Sequence, residues 1–335
     1  MRNPNRVIDK TCLSADMADE RVIRHRDLIS HAFRWAHVAR YLSQNQRYKD
    51  AIVLEAGCGR YMPLAKMLYS NRLIPRQYVG VDANKFDIPE MLVGKKIPIS
   101  IWSETDFCAL DVEDVSIPKM IQHVDPVAGS EHTFEKPNVF ICMEVLEHVC
   151  PSHARSMLIK AQQLTSDDCH YFISTPCWDL VNVAENHISE IRFESLGALF
   201  EDIGFHIRGV WGTFASQKDY KPYMEKEYPG ITAIFEKLSE YYDSTVISTT
   251  FAPLFPAYSR NACWHLTKKQ GDDAKQERLF VALEQAPTPW TSHPSWIELS
   301  GYSHCHTEAC EDRINGELVG NTLKCGKEGI WLGKS

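Results

Sequence analysis

The sequence predicts an open α/β fold, a mostly parallel sheet with helices on both faces. Five apolar segments, IVLEAG, QYVGVD, IPISIW, PNVFICM and HYFIST, alternate with segments of helical pattern. Such alternation is typical of a doubly wound parallel sheet. The first segment runs into Gly57-Cys58-Gly59, which is typical of a strand that turns tightly into a helix. Open sheets bind nucleotide-like ligands at turns of this kind.

The segments around these strands predict the remaining elements. PLAKMLYSNR, the polar stretch from Asp111 to Gln122, and SHARSMLIKAQQLT lie between strands and are expected to be helical. FESLGALFEDIGF places its apolar residues on one helical face and ends at Gly204, a typical C-cap. HIRGVWGTFA and RNACWHLTKK then predict the last two strands.

The composition is that of an ordinary globular protein. The chain has 335 residues, 44% hydrophobic and 24% charged, and a net charge of −8 that gives no overall attraction to nucleic acid, although a local basic patch stays open. It contains neither an apolar run of about 18 residues nor an apolar signal core, so we expect a cytoplasmic enzyme without a membrane span. Its eleven cysteines lack paired spacing, which argues against a disulfide framework. The sequence indicates no obligate protein partner.

The glycine loop and the end of the second strand predict a ligand that contains adenosine. Asp82 ends that strand, where a carboxylate can accept hydrogen bonds from both ribose hydroxyls. The loop lacks the third glycine of a dinucleotide fingerprint and the lysine of a P-loop, so a pyrophosphate would be poorly held. Glu55 precedes the glycines, and an acid there repels phosphate but can orient the cationic aminoacyl end of S-adenosylmethionine.

With these residues the chain resembles the class I S-adenosylmethionine-dependent methyltransferases, from Trp35 to Lys269. The resemblance implies a Rossmann-like sheet of seven strands whose last two strands form an antiparallel end. It also implies that Glu55 and the glycine loop hold the aminoacyl end of the cofactor, Asp82 the ribose, and Asp106 with Phe107 the adenine, with Asp111 as an alternative to Asp106. The full set of expected cofactor residues is Glu55, Ala56, Gly57, Cys58, Gly59, Asp82, Ala83, Asp106, Phe107 and Met143.

The segment CMEVLEHV suggests how a methyl acceptor is activated. Glu144 closes the fourth predicted strand, and we expect Glu147 and His148 to begin the next helix, so all three can meet at the carboxyl edge of the sheet. His187, in the loop after the fifth strand, returns to the same edge. Two carboxylates and the imidazoles are suitable ligands for a divalent metal ion. The oxygen ligands favour Mg²⁺ or Mn²⁺, while the two histidines leave Zn²⁺ and Fe²⁺ open.

The combination of EVLEH, STP and NHISEIRFESL sharpens the resemblance. MEVLEHV with a downstream histidine resembles the ubiquinone-biosynthesis O-methyltransferases, and the full combination is similar to the small-RNA 3′-terminal 2′-O-methyltransferases. This resemblance implies that Glu144, Glu147, His148 and His187 bind a divalent metal that touches the acceptor hydroxyls. Glu144, His148 and His187 are the expected catalytic residues. The alternative is a metal-free enzyme in which Glu147 and His148 merely start a helix and a histidine acts as the base.

Two cysteine patterns indicate other chemistry. Cys177 follows Thr175-Pro176 and resembles the Pro-Cys nucleophile of some cytosine methyltransferases, although the DNA enzymes place it after the fourth strand. The tail contains HCHTEAC, whose spacing matches no standard zinc finger. A small zinc site is still a hypothesis for its residues, which are His304, Cys305, His306, Cys310 and Cys325.

We expect three regions along the chain. Residues 1–50 form an N-terminal helical cap, because apolar residues recur at helical spacing over 20–47. Residues 51–270 form the methyltransferase domain, and 271–335 a C-terminal extension of unknown role. Residues 216–258, before the last strand, are a helical insertion rich in aromatic residues. These either form a substrate cap or give the insertion its own core, since Ile231, Ile234, Phe235 and Leu238 recur at helical spacing.

The sequence therefore predicts an S-adenosylmethionine-dependent methyltransferase that methylates a hydroxyl of a small molecule or of a nucleotide or RNA end. The acidic balance favours a small molecule, and the small-RNA resemblance favours a nucleic acid. The alternative is a scaffold or regulatory partner that binds the cofactor without catalysis. Tyr61 favours this alternative slightly, because it replaces a third glycine and crowds the loop.

Overall fold

A computed structural model describes residues 26–87, 99–112, 135–177, 187–214, 217–242 and 244–269, the strand pair at 323–326 and 329–332, and positions 89, 92 and 115. Seven strands form the central sheet: β1 (Ile52–Ala56), β2 (Gln77–Val81), β3 (Ile99–Trp102), β4 (Val139–Met143), β5 (His170–Pro176), β6 (Phe205–Phe214) and β7 (Asn261–Lys268). Their order is β3-β2-β1-β4-β5-β7-β6. The first five are parallel, and β7 runs antiparallel to both β5 and β6. The predicted sheet and its antiparallel end are confirmed, and the chain has the class I methyltransferase fold.

Helices cover both faces of this sheet, as predicted. The described helices are α1 (Arg26–Ser43), α2 (Pro63–Ser70), α3 (Pro151–Leu164), α4 (Phe193–Asp202), α5 (Gln217–Glu227), α6 (Pro229–Ser239) and α7 (Ser244–Phe251). Proline occupies the first turn of α2, α3 and α6, where the missing N–H costs no hydrogen bond. Gly204 follows α4 with φ +90°, which confirms the predicted glycine C-cap. A separate two-stranded sheet joins β8 (Leu323–Gly326) and β9 (Gly329–Leu332).

Two apolar cores hold the layers together. On one side, Leu158 of α3 and Leu196 of α4 pack with Phe140 and Tyr171 of the sheet. The other core is formed by the remaining face of the sheet with α1 and α2, and its members include Val38, Leu42, Leu64, Val53 and Phe172. Burying each large apolar side chain stabilises the fold by about 1.5–3 kcal/mol. The strand ends, which carry the candidate site, are thus fixed by packing on both faces.

The aromatic insertion has a third core of its own. Phe235 of α6 meets Phe251 of α7 edge to face at 5.5 Å between ring centroids. The ring of Tyr223 stacks on Tyr258 at 4.6 Å. These contacts match the prediction that the aromatic residues pack the insertion. Ile234 does not join them, because 57% of its surface is exposed. The substrate-cap hypothesis stays a prediction.

Several predicted features lie outside the described residues. They are residues 20–25 of the predicted N-terminal helix, most of the stretch from Asp111 to Gln122, and the tail cluster, of which only the backbone of Cys325 in β8 is described. Within the predicted cap of residues 1–50, residues 1–25 lie outside the described part, α1 confirms the helical pattern over Arg26–Ser43, and a 3-10 segment follows over Gln44–Lys49. That this region caps the site stays a prediction. Among the described helices, none combines the length and the apolar character that a membrane crossing requires.

Candidate functional site

The loop after β1 has the backbone shape that its glycines predict. Gly57 and Gly59 have φ values of +70° and +66°, a left-handed conformation that side chains disfavour. A Cβ on Gly57 would lie 2.2 Å from Cγ2 of Val145, whereas a Cβ on Gly59 would meet nothing within 4 Å. Gly57 is therefore required by packing against the chain after β4. Gly59 borders open space, into which a ligand can come close to the backbone.

Asp82, just beyond β2, ties this loop to the neighbouring strand. Its Oδ2 accepts a hydrogen bond from Gly59 N at 2.9 Å, and its Oδ1 accepts one from Asn84 N at 2.8 Å. The side chain is buried. Oδ1 accepts a further bond from Nδ2 of Asn84 at 3.1 Å. A carboxylate has about four acceptor positions, so Oδ2 keeps acceptor capacity for a ribose hydroxyl. Ala83 follows directly at the same edge of the sheet.

Glu55 lies inside the sheet rather than at its edge. It is fully buried on β1 and accepts a hydrogen bond from the hydroxyl of Tyr78 on β2. Burial raises the pKa of Glu55 to about 8, although the Tyr78 hydroxyl opposes this rise. At pH 7 this carboxyl group is mostly protonated. The attraction that the sequence predicts between Glu55 and a cofactor ammonium group is reduced accordingly.

The other expected cofactor residues line the surroundings of this loop. Ala56 and Cys58 are buried beneath it, and Met143 is buried at the end of β4. A Cβ on Gly80 would lie 2.8 Å from Sγ of Cys58, so the loop sits directly on β2. Tyr61 is partly buried, and its ring is covered by the guanidinium of Arg60 at 4.6 Å.

Asp106 begins a 3-10 turn, Phe107–Ala109, after β3. Its Oδ1 accepts a hydrogen bond from Cys108 N at 2.9 Å and lies 3.2 Å from Nε2 of His153 on α3. Phe107 is buried, with its ring 5.7 Å from that of Phe140. Asp106, Cys108 and His153 form one of two described groups whose atoms are close enough to hold a metal ion. Nothing in the sequence pattern indicated His153 at this position.

Glu147, His148 and His187 form the other such group, with ligand atoms within 4.8 Å of one another. The rings of His148 and His187 are 5.1 Å apart and nearly perpendicular. The prediction that Glu147 and His148 begin the next helix is wrong. They lie in a separate 3-10 turn, Leu146–His148, and α3 starts only at Pro151. The helix starts later than predicted because residue 151 is a proline. Proline fits the first turn of a helix but cannot continue a helix that has already begun.

Glu144 is not brought into this group. Its φ of +57° bends the chain sharply after β4, and its carboxylate is held elsewhere. Oε1 accepts from the Ser174 hydroxyl at 2.9 Å, and Oε2 accepts from Nδ2 of Asn261 at 2.7 Å. Nη1 of Arg34 lies 3.3 Å from Oε1. Of the four predicted metal ligands, three converge, and Glu144 is instead engaged by α1, β5 and β7.

Glu147 is the most deeply buried member of the group, with 1% of its surface exposed. Burial, and next the charge of Glu144, raise its pKa well above the usual range. The hydroxyl of Thr175 donates to its Oε2 at 3.1 Å. Its backbone carbonyl accepts from Ile188 N at 2.8 Å, which anchors the loop that carries His187.

Two residues that the sequence analysis missed orient His187. Nδ1 of His187 donates to Oε1 of Glu190 at 2.6 Å, and Oε2 of Glu190 pairs with Nη2 of Arg260 at 2.6 Å. Arg260 also donates to the carbonyl of Cys177. Because Nδ1 is engaged, Nε2 of His187 is the ring nitrogen left for chemistry. The sequence could have indicated Glu190, because it stands three residues after His187. No neighbouring residue in the sequence indicated Arg260.

The cysteine nucleophile receives no support from these surroundings. Cys177 is buried, and burial raises the pKa of its thiol to about 12. Attack by cysteine requires the thiolate, which such a pKa disfavours.

Comparison with known proteins finds similar structures but no similar sequence. No family model and no curated protein matches the sequence. Magnesium protoporphyrin IX methyltransferase from Synechocystis PCC 6803 is 13% identical, with 72% of this chain and 84% of that chain covered and a TM-score of 0.40. The 1,6-didemethyltoxoflavin-N1-methyltransferase of Burkholderia thailandensis is 14% identical, with 71% and 79% covered and a TM-score of 0.43. The methyltransferase domain of bacterial CtHen1 is 14% identical, with 71% and 99% covered and a TM-score of 0.42.

Proposed function

We propose that this chain, which has the class I methyltransferase fold, is an S-adenosylmethionine-dependent methyltransferase that methylates a hydroxyl group. The observation that carries the proposal is the placement of two sites on one sheet edge. The glycine loop and Asp82 lie at the ends of β1 and β2, and Glu147, His148 and His187 lie beyond the ends of β4 and β5. Open sheets of this type bind their ligands at this edge.

The residues around the glycine loop fit the cofactor. The open space beside Gly59 admits the aminoacyl end, and Oδ2 of Asp82 retains acceptor capacity for a ribose hydroxyl. Asp106 and Phe107 are assigned to the adenine, with one carboxylate oxygen of Asp106 already used by Cys108 N and the ring of His153. The bound cofactor supplies the electrophilic methyl carbon, and the protein aligns it with the acceptor oxygen.

The second group of residues fits a divalent ion. One carboxylate and two imidazoles, with ligand atoms within 4.8 Å, are a donor set that such ions accept. Glu147, His148 and His187 would hold it, without Glu144. A bound ion would supply a Lewis acid that lowers the pKa of the acceptor hydroxyl. Glu190 has the position of the carboxylate that commonly fixes a ligating histidine through its other ring nitrogen.

A metal-free mechanism is favoured by one observation, the bond between Glu190 and Nδ1 of His187. It leaves Nε2 as a base for the acceptor proton while the O–CH₃ bond forms and the S–CH₃ bond breaks. The resulting imidazolium is stabilised by the Glu190 carboxylate. The geometry required of His187 is the same in both mechanisms.

Chelation distinguishes the two mechanisms. For a metal enzyme we expect EDTA to abolish transfer of labelled methyl groups and added Mg²⁺ or Mn²⁺ to restore it, with S-adenosylhomocysteine binding unchanged throughout. Full activity in EDTA would rule out the metal and leave His148 or His187 as the base. The acceptor class is found by labelling a fractionated cell extract with and without nuclease treatment. A protein that binds S-adenosylhomocysteine and labels no fraction would be a scaffold.

A further inference from the structure

Arg34, on α1, is a buried cation that the proposed function does not use. Only 1% of its surface is exposed. Its Nη1 lies 3.3 Å from Oε1 of Glu144. Within the described part of the chain, its Nε and Nη2 have no hydrogen-bond partner. Two donors of one guanidinium are therefore buried without an acceptor, beside the residues assigned to methyl transfer.

Such an arrangement is costly for a folded protein. Leaving a buried donor unpaired costs about 1–3 kcal/mol, and more when the group is charged. A guanidinium cannot lower this cost by losing its proton, because it stays charged in proteins. Nε and one Nη of a guanidinium form a planar fork, and the groups that match it are the paired oxygens of a carboxylate or a phosphate. The missing partner of Arg34 thus has the chemistry of an oxyanion.

The position of Arg34 indicates which ligand brings that oxyanion. Glu144, which anchors the guanidinium, is held by Ser174 of β5 and Asn261 of β7. The residues assigned to the cofactor loop and ribose lie on the other half of the sheet edge, at β1 and β2. The fork therefore lies towards β5 and β7, the half assigned to the acceptor, and Met143 at the end of β4 is the assigned cofactor residue next to Glu144.

We propose that the Arg34 guanidinium binds a carboxylate or phosphate group of the methyl acceptor, with Glu144 as the residue that holds Arg34 in place. This inference rests on the proposed function and names the class of its substrate, a hydroxyl compound that carries a nearby anionic group. Both oxygens of Glu144 already accept from donors. The positive charge of Arg34 and the negative charge of Glu144 cancel, so the pair adds no net negative charge that would repel the anion.

Inorganic phosphate is a suitable probe, because it tests the fork without a known acceptor. In the full-length protein saturated with S-adenosylhomocysteine, we expect phosphate to shift the Nε–Hε NMR signal that disappears in Arg34→Lys. The affinity of Arg34→Gln for phosphate should be at least about tenfold weaker than that of the wild type. Arg40→Gln, an exposed arginine on the same helix, is the matched control and should bind phosphate normally.

Cofactor affinity separates the two possible sources of the oxyanion. If the acceptor supplies it, S-adenosylhomocysteine should bind Arg34→Gln within about twofold of the wild type, since its contacts lie elsewhere. A parallel loss of S-adenosylhomocysteine affinity would assign the fork to the cofactor carboxylate and overturn the proposal. Absence of phosphate binding to the wild type, or equal binding to Arg34→Gln, would also overturn it. None of these measurements depends on methyl transfer, so the proposed function can fail independently.

Removing Arg34 alone leaves the partly buried Glu144 without its cation, which lowers the stability of the fold. The double variant Arg34→Gln with Glu144→Gln removes both charges and keeps the side-chain sizes similar. We expect it to fold, to bind S-adenosylhomocysteine and to lose phosphate binding. Retained phosphate binding in this folded double variant would contradict the proposal.

Discussion

The two halves of the sheet edge are built in different ways. At β1 and β2 the site is made of backbone groups and residues close in sequence, with Gly59 N donating to Asp82. At β4 and β5 it is made of charged side chains from distant segments, with Arg34 pairing with the partly buried Glu144 and Arg260 with the buried Glu190. The first half depends on loop shape and open space. The second depends on charges that stabilise one another inside the protein.

This difference determines how each half responds to substitution. Removing one member of a buried ion pair leaves an uncompensated charge and is costly, whereas a change in an open loop is local. Substitutions at the acceptor half should therefore affect chemistry most. Substitutions at the cofactor half should affect binding or local stability.

The largest effect is expected for His148→Ala and His187→Ala. Each removes a group that would hold the ion or take the acceptor proton, so the rate of labelled methyl transfer should fall by about 10²-fold or more. S-adenosylhomocysteine binding, measured by calorimetry, should stay within about twofold because these residues lie at the other half. His206→Ala on β6, outside the cluster, is the control. Normal rates in both cluster variants would rule out this group as the catalytic centre.

The sequence predicted the local structure at β1 and β2 more completely than that at β4 and β5, for a physical reason. The sequence there shows two glycines after one apolar strand and an acid after the next. These residues indicate the conformation of the backbone, which depends on neighbouring residues in the sequence. The partners of Glu144 could not be predicted in this way. Ser174 and Asn261 reach it through the pairing of β5 with β4 and β7, and Arg34 through the packing of α1, all of which depend on the tertiary fold.

Burial also changed the expected chemistry of residues that were placed correctly. Glu55 was predicted as a charged contact for the cofactor, but its pKa of about 8 follows from its interior position and from Tyr78 on the adjacent strand. Likewise, Pro151 is a residue type that often begins a helix, but the EVLEH motif before it led to the prediction that the helix begins at Glu147 and His148. In both cases the local pattern was compatible with two structures, and packing decided between them.

The second prediction concerns Asp82→Ala, which should weaken S-adenosylhomocysteine binding. The variant removes the acceptor for a ribose hydroxyl and for Gly59 N, a loss of about 1.5–3 kcal/mol, or roughly 10- to 100-fold in affinity. Asp167→Ala makes the matched change at a side chain that is 97% exposed and has no assigned role in cofactor binding, and this variant should bind normally. Calorimetry on both folded variants decides the outcome. Wild-type affinity in Asp82→Ala would place the cofactor elsewhere.

The third prediction tests whether Glu190 positions His187. Glu190→Gln keeps the size of the side chain but lets it present an amide to Nδ1, so the imidazole can adopt the wrong tautomer. We expect a loss of about 10-fold to 100-fold in metal affinity or rate, and partial recovery in Glu190→Asp. Nitrogen-15 imidazole shifts of His187 in the metal-free protein report the tautomer directly. Glu236→Gln, on the exposed face of α6, is the control. An unchanged His187 tautomer with normal activity would make Glu190 a purely structural residue.

Alanine substitutions in the glycine loop separate packing from ligand access, and their effect on S-adenosylhomocysteine affinity is expected to be the smallest of the series. Gly57, Gly59 and Gly204 all have positive φ, so each alanine should cost about 1–2 kcal/mol in the free energy of unfolding. Gly57→Ala should cost about 1–3 kcal/mol more, because its Cβ would lie 2.2 Å from Val145. Urea denaturation measures this difference, and equal losses at all three positions would contradict the packing role of Gly57.

The pair Gly59→Ala and Gly204→Ala then separates the effect on ligand binding from the effect of backbone strain. Both alanine Cβ atoms would enter open space, so the two variants should lose similar stability. Only Gly59→Ala places its methyl group where the cofactor is expected to approach the backbone, and only it should weaken S-adenosylhomocysteine binding, by several-fold. Equal affinity in the two variants would mean that the space beside Gly59 is not part of the cofactor site. The assignment of the cofactor to β1 and β2 would then rest on Asp82 alone.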